Sequence, residues 1–177
     1  MIRLLGEPDL DALVEHLRRH ARESGRGGAP IFSPHTPGKA PDRERLRARR
    51  RAGWLLAPAE VGWNRTWGYV DAGHVVGHAE LHGGKLPTEL HRATLGMGIE
   101  AGYRGKGVGT DLLGAVLYWA RGQPSLAWVD LGVFSGNSPA LALYRKLGFR
   151  EVGRVTDRFR IGANSVDDVL MTIALHE

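Results

Sequence analysis

The segment that most constrains how this chain can fold is YRGKGVG, residues 103–109, which places three glycines at alternate positions beside two cations. An alternating apolar run, LGMGI (95–99), precedes the segment, and a helical pattern, TDLLGAVLYWAR (110–121), follows it. A strand, a glycine turn and a helix N-terminus together form an anion site, because free amides point outwards and the helix dipole favours negative charge. The sequence therefore predicts a phosphate-binding turn between a strand and a helix.

The spacing of these glycines excludes two common phosphate-binding turns. A P-loop has the pattern G-x-x-x-x-G-K-[ST], but the residue after Gly107 is Val108. The dinucleotide fingerprint G-x-G-x-x-G, counted from Gly105 and Gly107, requires a glycine at the position of Thr110. From the glycines alone, a tight turn without a ligand is an equal alternative.

Two motifs and a terminal strand resemble those of a known superfamily. The stretch from Arg104 to Gly109 has the form [QR]-x-x-G-x-[GA] and resembles the acyl-CoA pyrophosphate loop of the GNAT superfamily of N-acetyltransferases. The stretch NSPALALYRKLGF (137–149) resembles the N-x-x-A-x-x-[LF]-Y-x-x-x-G-F segment of that superfamily. The run VDDVLMTIAL (166–175) resembles its terminal strand.

The resemblance covers residues 90–177 firmly and 1–89 loosely, and it is weakest from Ile31 to Val61, where acceptor recognition is expected. It implies one α/β (α+β) domain over residues 1–177. The central sheet of that fold is mixed, mostly antiparallel, splayed between two central strands and flanked by helices. Acetyl-CoA, as co-substrate, would occupy the gap between these strands.

Local patterns predict elements that are compatible with this fold. A helix starts after Pro8-Asp9, a Gly- and Pro-rich loop (24–41) is expected to shape a binding cleft, and a short basic helix follows at 42–51. His35 in the loop is a candidate acceptor contact, with a solvated side chain as the simpler interpretation. Apolar runs predict strands at GWLLA (53–57), TWGYVDA (66–72), HVVGHAELH (74–82), HRATLGMGI (91–99), LAWVDLGVF (126–134), FREVGRV (149–155) and VDDVLMTIAL (166–175).

The resemblance assigns the cofactor contacts mainly to the backbone. The amides of Met97, Gly98 and Ile99 would pair with the pantetheine arm, as an added strand pairs with a sheet edge. The residues of the turn that would wrap the pyrophosphate are Arg104, Gly105, Lys106, Gly107, Val108, Gly109 and Thr110. The side chains of Arg104 and Lys106 would add positive charge, or alternatively face water.

The helix that begins at Asn137 carries two further candidates. Asn137 would bond the pantetheine, or alternatively cap the helix. Tyr144 lies close to two turns of ~3.6 residues further on, so its side chain leaves the same face as the helix start. A phenol with a pKa of about 10 is protonated at neutral pH and can donate to a departing thiolate. We predict Tyr144 as the general acid, because the resemblance also places a tyrosine here; a buried packing role is the alternative.

Acetyl transfer to an amine also needs a base. Neutralising an alkylammonium group with a pKa of about 10.4 costs about 4.6 kcal/mol at pH 7, and a positioned base lowers that barrier. His74, His78, Glu80 and His82 share one face of the strand predicted at 74–82. If this strand pairs antiparallel with the next one, His91 lies close to His82 and diagonal to Glu80.

Three interpretations of this histidine and glutamate cluster remain open. It is a polar face of the sheet, an amine-binding and proton-relay site around Glu80 and His91, or a metal site of three histidines and a carboxylate. Acyl transfer requires no metal, so we predict none. We take Glu80 or His91, directly or through water, as the base. Glu80, Asp167 and Asp168 could also attract a cationic amine.

Positive charge is concentrated near the N-terminus. The net charge is +5, and residues 1–51 carry 12 Lys/Arg against 7 Asp/Glu, so the whole excess lies there, mostly in DRERLRARRR (42–51). One alternative function is therefore a nucleic-acid-binding module that uses this basic helix. The run has no interleaved aromatic residue and contains acids and a leucine, which favours a solvated helix face. Nucleic acid is accordingly the disfavoured partner.

Composition restricts the remaining function classes. The chain has no cysteine, which excludes disulfides, thiolate catalysis and a cysteine zinc site. No apolar run approaches the ~20 residues of a membrane span, so we expect no membrane partner and a cytoplasmic protein. The predicted acceptor is a small-molecule or peptide amine, and the sequence does not rank a polyamine, an amino acid, a drug, a protein N-terminus or a lysine. A homodimer is compatible with the sequence, and a non-catalytic acyl-CoA binder or sensor on the same fold is the other alternative function.

Overall fold

A computed structural model describes residues 1–34 and 41–176 of the chain. His35, the candidate acceptor contact, lies outside the described residues. None of the helices in the described part is long and apolar enough to cross a membrane. The elements follow in the order β1 (Ile2–Leu4), α1 (Leu10–Glu23), α2 (Arg43–Trp54), β2 (Asn64–Asp71), β3 (His74–Gly83), β4 (Arg92–Ile99), α3 (Val108–Arg121), β5 (Trp128–Phe134), α4 (Ser138–Lys146), β6 (Arg150–Ile161) and β7 (Asn164–Ala174).

The strands form a seven-stranded sheet in the order β1-β2-β3-β4-β5-β7-β6. Within the described residues, β4 and β5 form the one parallel pair, and the other neighbouring strands are antiparallel. The parallel pairing runs only from Arg92↔Trp128 to Thr94↔Asp130, although both strands continue beyond it. The predicted α/β (α+β) fold, with a mixed, mostly antiparallel sheet splayed between two central strands, is confirmed.

Different helices cover the two faces of the sheet. α3 turns its apolar side to one face, where Leu112 and Val116 are fully buried together with Leu81 of β3. On the other face of β3, His78 contacts α1 and Glu80 contacts α2. Successive side chains of a strand alternate between faces, so residues 78–82 of β3 present apolar side chains to α3 and polar side chains to α1 and α2, while Val75 packs with Leu13 of α1. This polar face of β3 is therefore interior and not a solvated sheet surface.

The basic helix α2 lies against the acidic side of the N-terminal segment. Arg50 is buried in a salt bridge with Glu80, which differs from the solvated position predicted for this run. Surface salt bridges also join α2 to the segment before it: Arg43–Asp11, Arg43–Glu15, Arg47–Asp11 and Arg51–Glu7. Exposed pairs each contribute only about 0–1 kcal/mol, but together they neutralise much of the charge that suggested a nucleic-acid surface. Contact between an acidic and a basic segment thus accounts for the arginine run.

Two segments differ from the local predictions. GWLLA (53–57) is not a strand, because α2 continues to Trp54, whose indole Nε1 donates to Thr66 at 3.3 Å. The periodicity of a short apolar run does not distinguish a strand from the end of a helix. Here the contact with β2 accompanies the helical conformation of Gly53 and Trp54. β1, which no local pattern indicates, pairs with β2 and places Ile2 opposite Tyr69.

Candidate active site

A cavity of about 350 Å³ occupies the gap where β4 and β5 diverge. Gly98 of β4, Gly132 of β5 and Tyr144 of α4 line it, together with residues of the loop after α1. The loop was expected to shape a binding cleft, and its described residues Phe32 and Pro34 do line this cavity. The backbone of β4 and β5 thus lines one side of the gap, and the loop after α1 lines another.

The free edge of β4 leaves backbone groups open to the gap. Successive N–H and C=O groups of a strand point to alternate edges. The carbonyl of His91 accepts from the amide of Ala127 at 2.8 Å, so this position and every second one after it face β5. By this alternation, the amides of Met97 and Ile99 face the gap, whereas the amide of Gly98 belongs to the ladder with β3. Two of the three amides predicted to meet the pantetheine arm are therefore available to a ligand.

The glycine turn has a backbone that favours glycine at two positions. Gly105 and Gly107 have φ angles of +70° and +84°, in the left-handed region that side chains disfavour. Among the described residues beyond their chain neighbours, no atom lies within 4 Å of the Cβ position of either. Gly107 is also the N-cap of α3, so the first free amides of that helix lie in the turn. Gly109 differs, because its Cβ would lie 2.8 Å from Leu143 Cδ2, so a side chain at this position would have to displace the end of the Leu143 side chain.

The two cations of the turn are held by the protein itself. Arg104 Nε donates to the carbonyl of Ile99 at 2.8 Å, and its Nη2 donates to Glu23 of α1. The same guanidinium lies over the ring of Phe32, 5.1 Å from the ring centroid. Lys106 Nζ donates to the carbonyl of Gly102 at 2.7 Å. Arg104 is thus directed towards α1 and the loop wall of the cavity.

The first two turns of α4 carry Asn137 and Tyr144 to the cavity. Asn137 Oδ1 accepts from the amide of Ala140 at 3.4 Å, so the predicted N-cap is present, while its Nδ2 makes no hydrogen bond in the described part of the chain. Tyr144 is 7% exposed, and its hydroxyl makes no hydrogen bond to any described residue. Burial raises the pKa of Tyr144 to about 12. A protonated phenol therefore lies at the cavity with its donor unused.

Glu80, one of the two predicted bases, is buried and already engaged. Arg50 Nη2 donates to both carboxylate oxygens, at 2.8 and 2.9 Å, and His82 Nε2 lies 3.0 Å from Oε1. Burial raises the pKa of Glu80, but the Arg50 and His82 contacts outweigh this effect and hold the pKa well below its usual range. The oxygens of Glu80 are therefore occupied by protein groups, and Glu80 does not line the cavity between β4 and β5. The structure does not favour Glu80 as the base.

His91, the other predicted base, does not lie beside His82. β3 and β4 do pair antiparallel, but the register places His82 opposite Thr94. A 3-10 turn at Pro87–Glu89 lengthens the connection, so His91 precedes β4 and lies exposed near Asp130. The predicted proximity was wrong because it assumed a shorter hairpin. In the described residues, no group of three or more His, Asp or Glu side chains is arranged to hold a metal ion.

Three glycines leave one face of the sheet without side chains at the gap. The pairing of Thr94 with Asp130 places Gly96, Gly98 and Gly132 on one face further along the two strands. The side chains nearest to the missing Cβ atoms are Glu80 at Gly96, His20 and His78 at Gly98, and Asp168 at Gly132. Polar groups therefore surround the glycines on the face of the sheet that α1 and α2 cover.

Asp168 is an unpaired acid on this face. Its Oδ1 lies 2.8 Å from the Cβ position of Gly132, and it makes no hydrogen bond or salt bridge with any described residue. Burial raises the pKa of Asp168, and Arg158 opposes that shift. An unpaired carboxylate at the edge of a cavity can attract a cationic amine.

Two histidines of α1, His16 and His20, meet His78 of β3 close to Gly98. His16 Nδ1 lies 2.7 Å from Glu100 Oε1, and His16 Nε2 lies 2.8 Å from His78 Nδ1. The ring of His20 lies 5.9 Å from that of His16 and 6.3 Å from that of His78. Burial lowers the pKa of His20 to about 3 and that of His78 well below its usual value, and His16 adds to both shifts. The spacing of His16 and His20 on one helix face was the available sequence signal, but their partners come from elsewhere in the fold.

The open edge of β4 and the glycine turn at a helix N-terminus, with the unused tyrosine hydroxyl beside them, form a site whose shape fits a ligand with an extended arm and a phosphate group. The family model described as "Acetyltransferase (GNAT) family" matches residues 31–149. The chain belongs to this family, and the resemblance carried by its two motifs is confirmed.

Curated relatives match part of the chain. N-alpha-acetyltransferase RimI of Mycobacterium tuberculosis is 36% identical over 100 residues, which cover 55% of this chain and 60% of that protein. An L-methionine sulfoximine/L-methionine sulfone acetyltransferase of Pseudomonas paraeruginosa is 34% identical over 107 residues, which cover 59% of this chain and 61% of that protein. The matched segment thus spans about three fifths of each relative.

Solved structures match nearly the whole fold. An acetyltransferase of the GNAT family from Streptococcus pneumoniae superimposes with a TM-score of 0.84 at 21% identity, over 99% of each chain. A GNAT superfamily phosphinothricin acetyltransferase from Sinorhizobium meliloti, solved in complex with AcCoA, gives a TM-score of 0.83 at 17% identity, over 100% of this chain and 89% of that one. At these identities the likeness shows the fold alone.

Proposed function

We propose that this chain is an N-acetyltransferase that moves the acetyl group of acetyl-CoA to a primary amine. The observation that carries the proposal is the gap between β4 and β5, where open amides of β4 and the unused Tyr144 hydroxyl face one cavity. The glycine turn follows directly from the open edge of β4. Membership of the acetyltransferase family and the names of the curated relatives support the same activity.

The residues at the gap fit acetyl-CoA. The amides of Met97 and Ile99 would pair with the amide-bearing pantetheine arm, and Asn137 Nδ2 would donate to it. The free amides of the turn, from Gly105 to Thr110, would hold the pyrophosphate, whereas the amide of Arg104 already donates to the carbonyl of Ala101 at 3.3 Å. When bound, acetyl-CoA supplies a thioester that activates the acetyl group towards an amine. Because the side chains of the turn are held by protein groups, we assign the phosphate contacts mainly to the backbone.

Tyr144 is the proposed general acid. Its hydroxyl is an unused donor at the cavity, and its raised pKa keeps it protonated at neutral pH. A donor in a water-poor site stabilises negative charge as it develops on a leaving sulfur. Asp168 would attract the cationic form of the acceptor to the opposite side of the gap.

The turn can be tested at Gly107. We expect Gly107→Ala to weaken acetyl-CoA binding by about tenfold or more, equivalent to about 1.4 kcal/mol. The physical reason is that a side chain disfavours the left-handed backbone by about 1–2 kcal/mol, and relief of that strain would redirect the amides that hold the pyrophosphate. Isothermal titration with acetyl-CoA measures the change.

Gly73→Ala is the matched control for this experiment. Gly73 has a φ of +80° and an equally open Cβ position, but it lies in the turn between β2 and β3. Both variants should lose similar free energy of unfolding, and only Gly107→Ala should lose acetyl-CoA affinity. Unchanged affinity in a folded Gly107→Ala protein would contradict the assignment of the turn to the pyrophosphate.

The activity itself is tested with a panel of amines. Release of the CoA thiol from acetyl-CoA is followed with an L-amino acid sulfone, a peptide N-terminus, a lysine side chain and a polyamine. The first two come first, because the names of the relatives describe N-alpha and methionine sulfone acetylation. Turnover of any of them supports the proposal. Tight acetyl-CoA binding without turnover of any amine would instead favour the non-catalytic binder.

A further inference from the structure

We infer that His20 takes the proton from the acceptor amine, and that Glu23 orients it. This inference rests on the proposed function and supplies the base that neither Glu80 nor His91 provides. It assigns a role in acceptor chemistry to the last turn of α1, which lies far in sequence from both acetyl-CoA motifs.

The position of His20 places its ring beside the open backbone of β4. The side chain lines the cavity at the gap and stacks on Phe32, with 4.4 Å between ring centroids and 10° between ring planes. Its Nε2 lies 2.5 Å from the Cβ position of Gly98. Any larger residue at position 98 would therefore collide with the imidazole. Gly98 leaves room for His20 at the cavity.

The neighbours of His20 leave one ring nitrogen free to accept a proton. Nδ1 is buried without a hydrogen bond in the described part of the chain, and Glu23 Oε2 lies 3.8 Å from it. A carboxylate on that side favours the tautomer with the proton on Nδ1, as orienting carboxylates do for catalytic histidines. Nε2 then carries the lone pair beside Gly98 at the cavity. Glu23 is itself fixed by Arg104 and by the amide of Ala101.

The burial of His20 and the charges around it favour the uncharged forms of its imidazole and of a nearby amine. Burial, His16 and Arg104 lower the pKa of His20, while Glu100 opposes them. The groups that face the ring are His16 and Glu23 from α1, His78 from β3, Glu100 after β4, and Arg104 from the turn. The imidazole is therefore neutral at pH 7, with its lone pair on Nε2. Because the same burial disfavours the imidazolium, the proton that His20 accepts must pass on to solvent as the N–C bond forms. The same surroundings penalise an ammonium ion placed beside it, which favours the nucleophilic amine.

The proposed step conserves atoms and charge. The amine nitrogen forms the N–C bond to the acetyl group as the C–S bond breaks. One proton leaves the nitrogen for His20 Nε2, which then returns it to solvent, while the departing sulfur receives a hydrogen bond and finally a proton. No oxidant, reductant or further reactant is required.

The test compares His20→Gln with wild type on a substrate that the amine panel identifies. We expect kcat to fall by about 10²-fold near pH 7 with unchanged acetyl-CoA affinity. The deficit should shrink from about pH 7 towards about pH 10, where solvent has already deprotonated an alkylamine. In His20→Ala, added imidazole should restore part of the rate. His74→Gln is the matched control, because His74 is exposed at the start of β3.

The outcomes separate this inference from the proposed function. If wild type turns over an amine and both His20 variants match it at every pH, His20 is not the proton acceptor. A deficit that is constant with pH and insensitive to imidazole also overturns the inference, since it would mark a purely structural role. If wild type turns over no amine, the proposed acetyl transfer fails, and this inference fails with it.

Discussion

Replacement of Tyr144 with phenylalanine is expected to lower kcat by about 10²-fold and to leave acetyl-CoA affinity unchanged. The substitution keeps the ring, which lies 5.7 Å from the ring of Phe149 in the core, and removes only the hydroxyl. Because that hydroxyl makes no hydrogen bond within the described chain, its loss leaves no protein group unsatisfied. The free energy of unfolding should therefore hardly change, and the loss should appear in the chemical step.

Tyr118→Phe is the matched control for this prediction. Tyr118 is 83% exposed on α3, so removal of its hydroxyl should change neither stability nor rate. Steady-state kinetics give kcat and KM, and a pre-steady-state experiment shows whether chemistry limits turnover. If Tyr144→Phe turns over a good amine at the wild-type rate with chemistry limiting in both proteins, Tyr144 only packs the core.

Replacement of Arg50 with methionine is expected to cost about 3–5 kcal/mol of the free energy of unfolding. Arg50 and Glu80 are buried together, with side chains 6% and 10% exposed. Methionine fills similar space but leaves the Glu80 carboxylate without its cation in the interior. Urea denaturation of the variant and of wild type gives the difference.

The pH dependence of this loss identifies its cause. The pKa of Glu80 is lower in the folded protein than its unfolded value of 4.5, so the stabilisation by the pair is present above that pH and is lost as the pH falls below it. The deficit of Arg50→Met should therefore be largest near neutral pH and shrink in acid. Adding Glu80→Gln to Arg50→Met should recover part of the stability at neutral pH.

Arg49→Met is the control on the same helix. Arg49 is exposed, so its replacement should stay within about 0.5 kcal/mol of wild type. If Arg50→Met is no more destabilising than Arg49→Met, or if its deficit does not change with pH, the buried pair does not stabilise the fold as argued.

The sequence predicted the features that depend on short-range spacing. The turn at 103–109 was identified from residues that are adjacent in the chain, and Gly105 and Gly107 do adopt the left-handed backbone. The N-cap at Asn137 and most strand positions also follow from local patterns. GWLLA (53–57) failed because a short apolar run fits either a strand or a helix end.

The sequence alone did not predict which polar groups are free to react. Glu80 was a reasonable base until the fold placed Arg50, thirty positions earlier in the chain, on both of its oxygens. His91 was displaced because the length of one connection sets the register of the whole hairpin.

The sequence by itself determined the glycine turn and most of the strands, because these depend on backbone requirements that glycines and apolar alternation reflect. Through the resemblance of its two motifs to the GNAT superfamily, it also indicated the fold and the splayed gap. The tertiary structure decided that the Glu80 carboxylate is paired with Arg50, that Arg104 is held by Glu23, and that His20 lies beside Gly98. The physical reason is that the pKa and the availability of a side chain depend on its neighbours in space. For these residues the neighbours come from other elements of the fold, which no local pattern records.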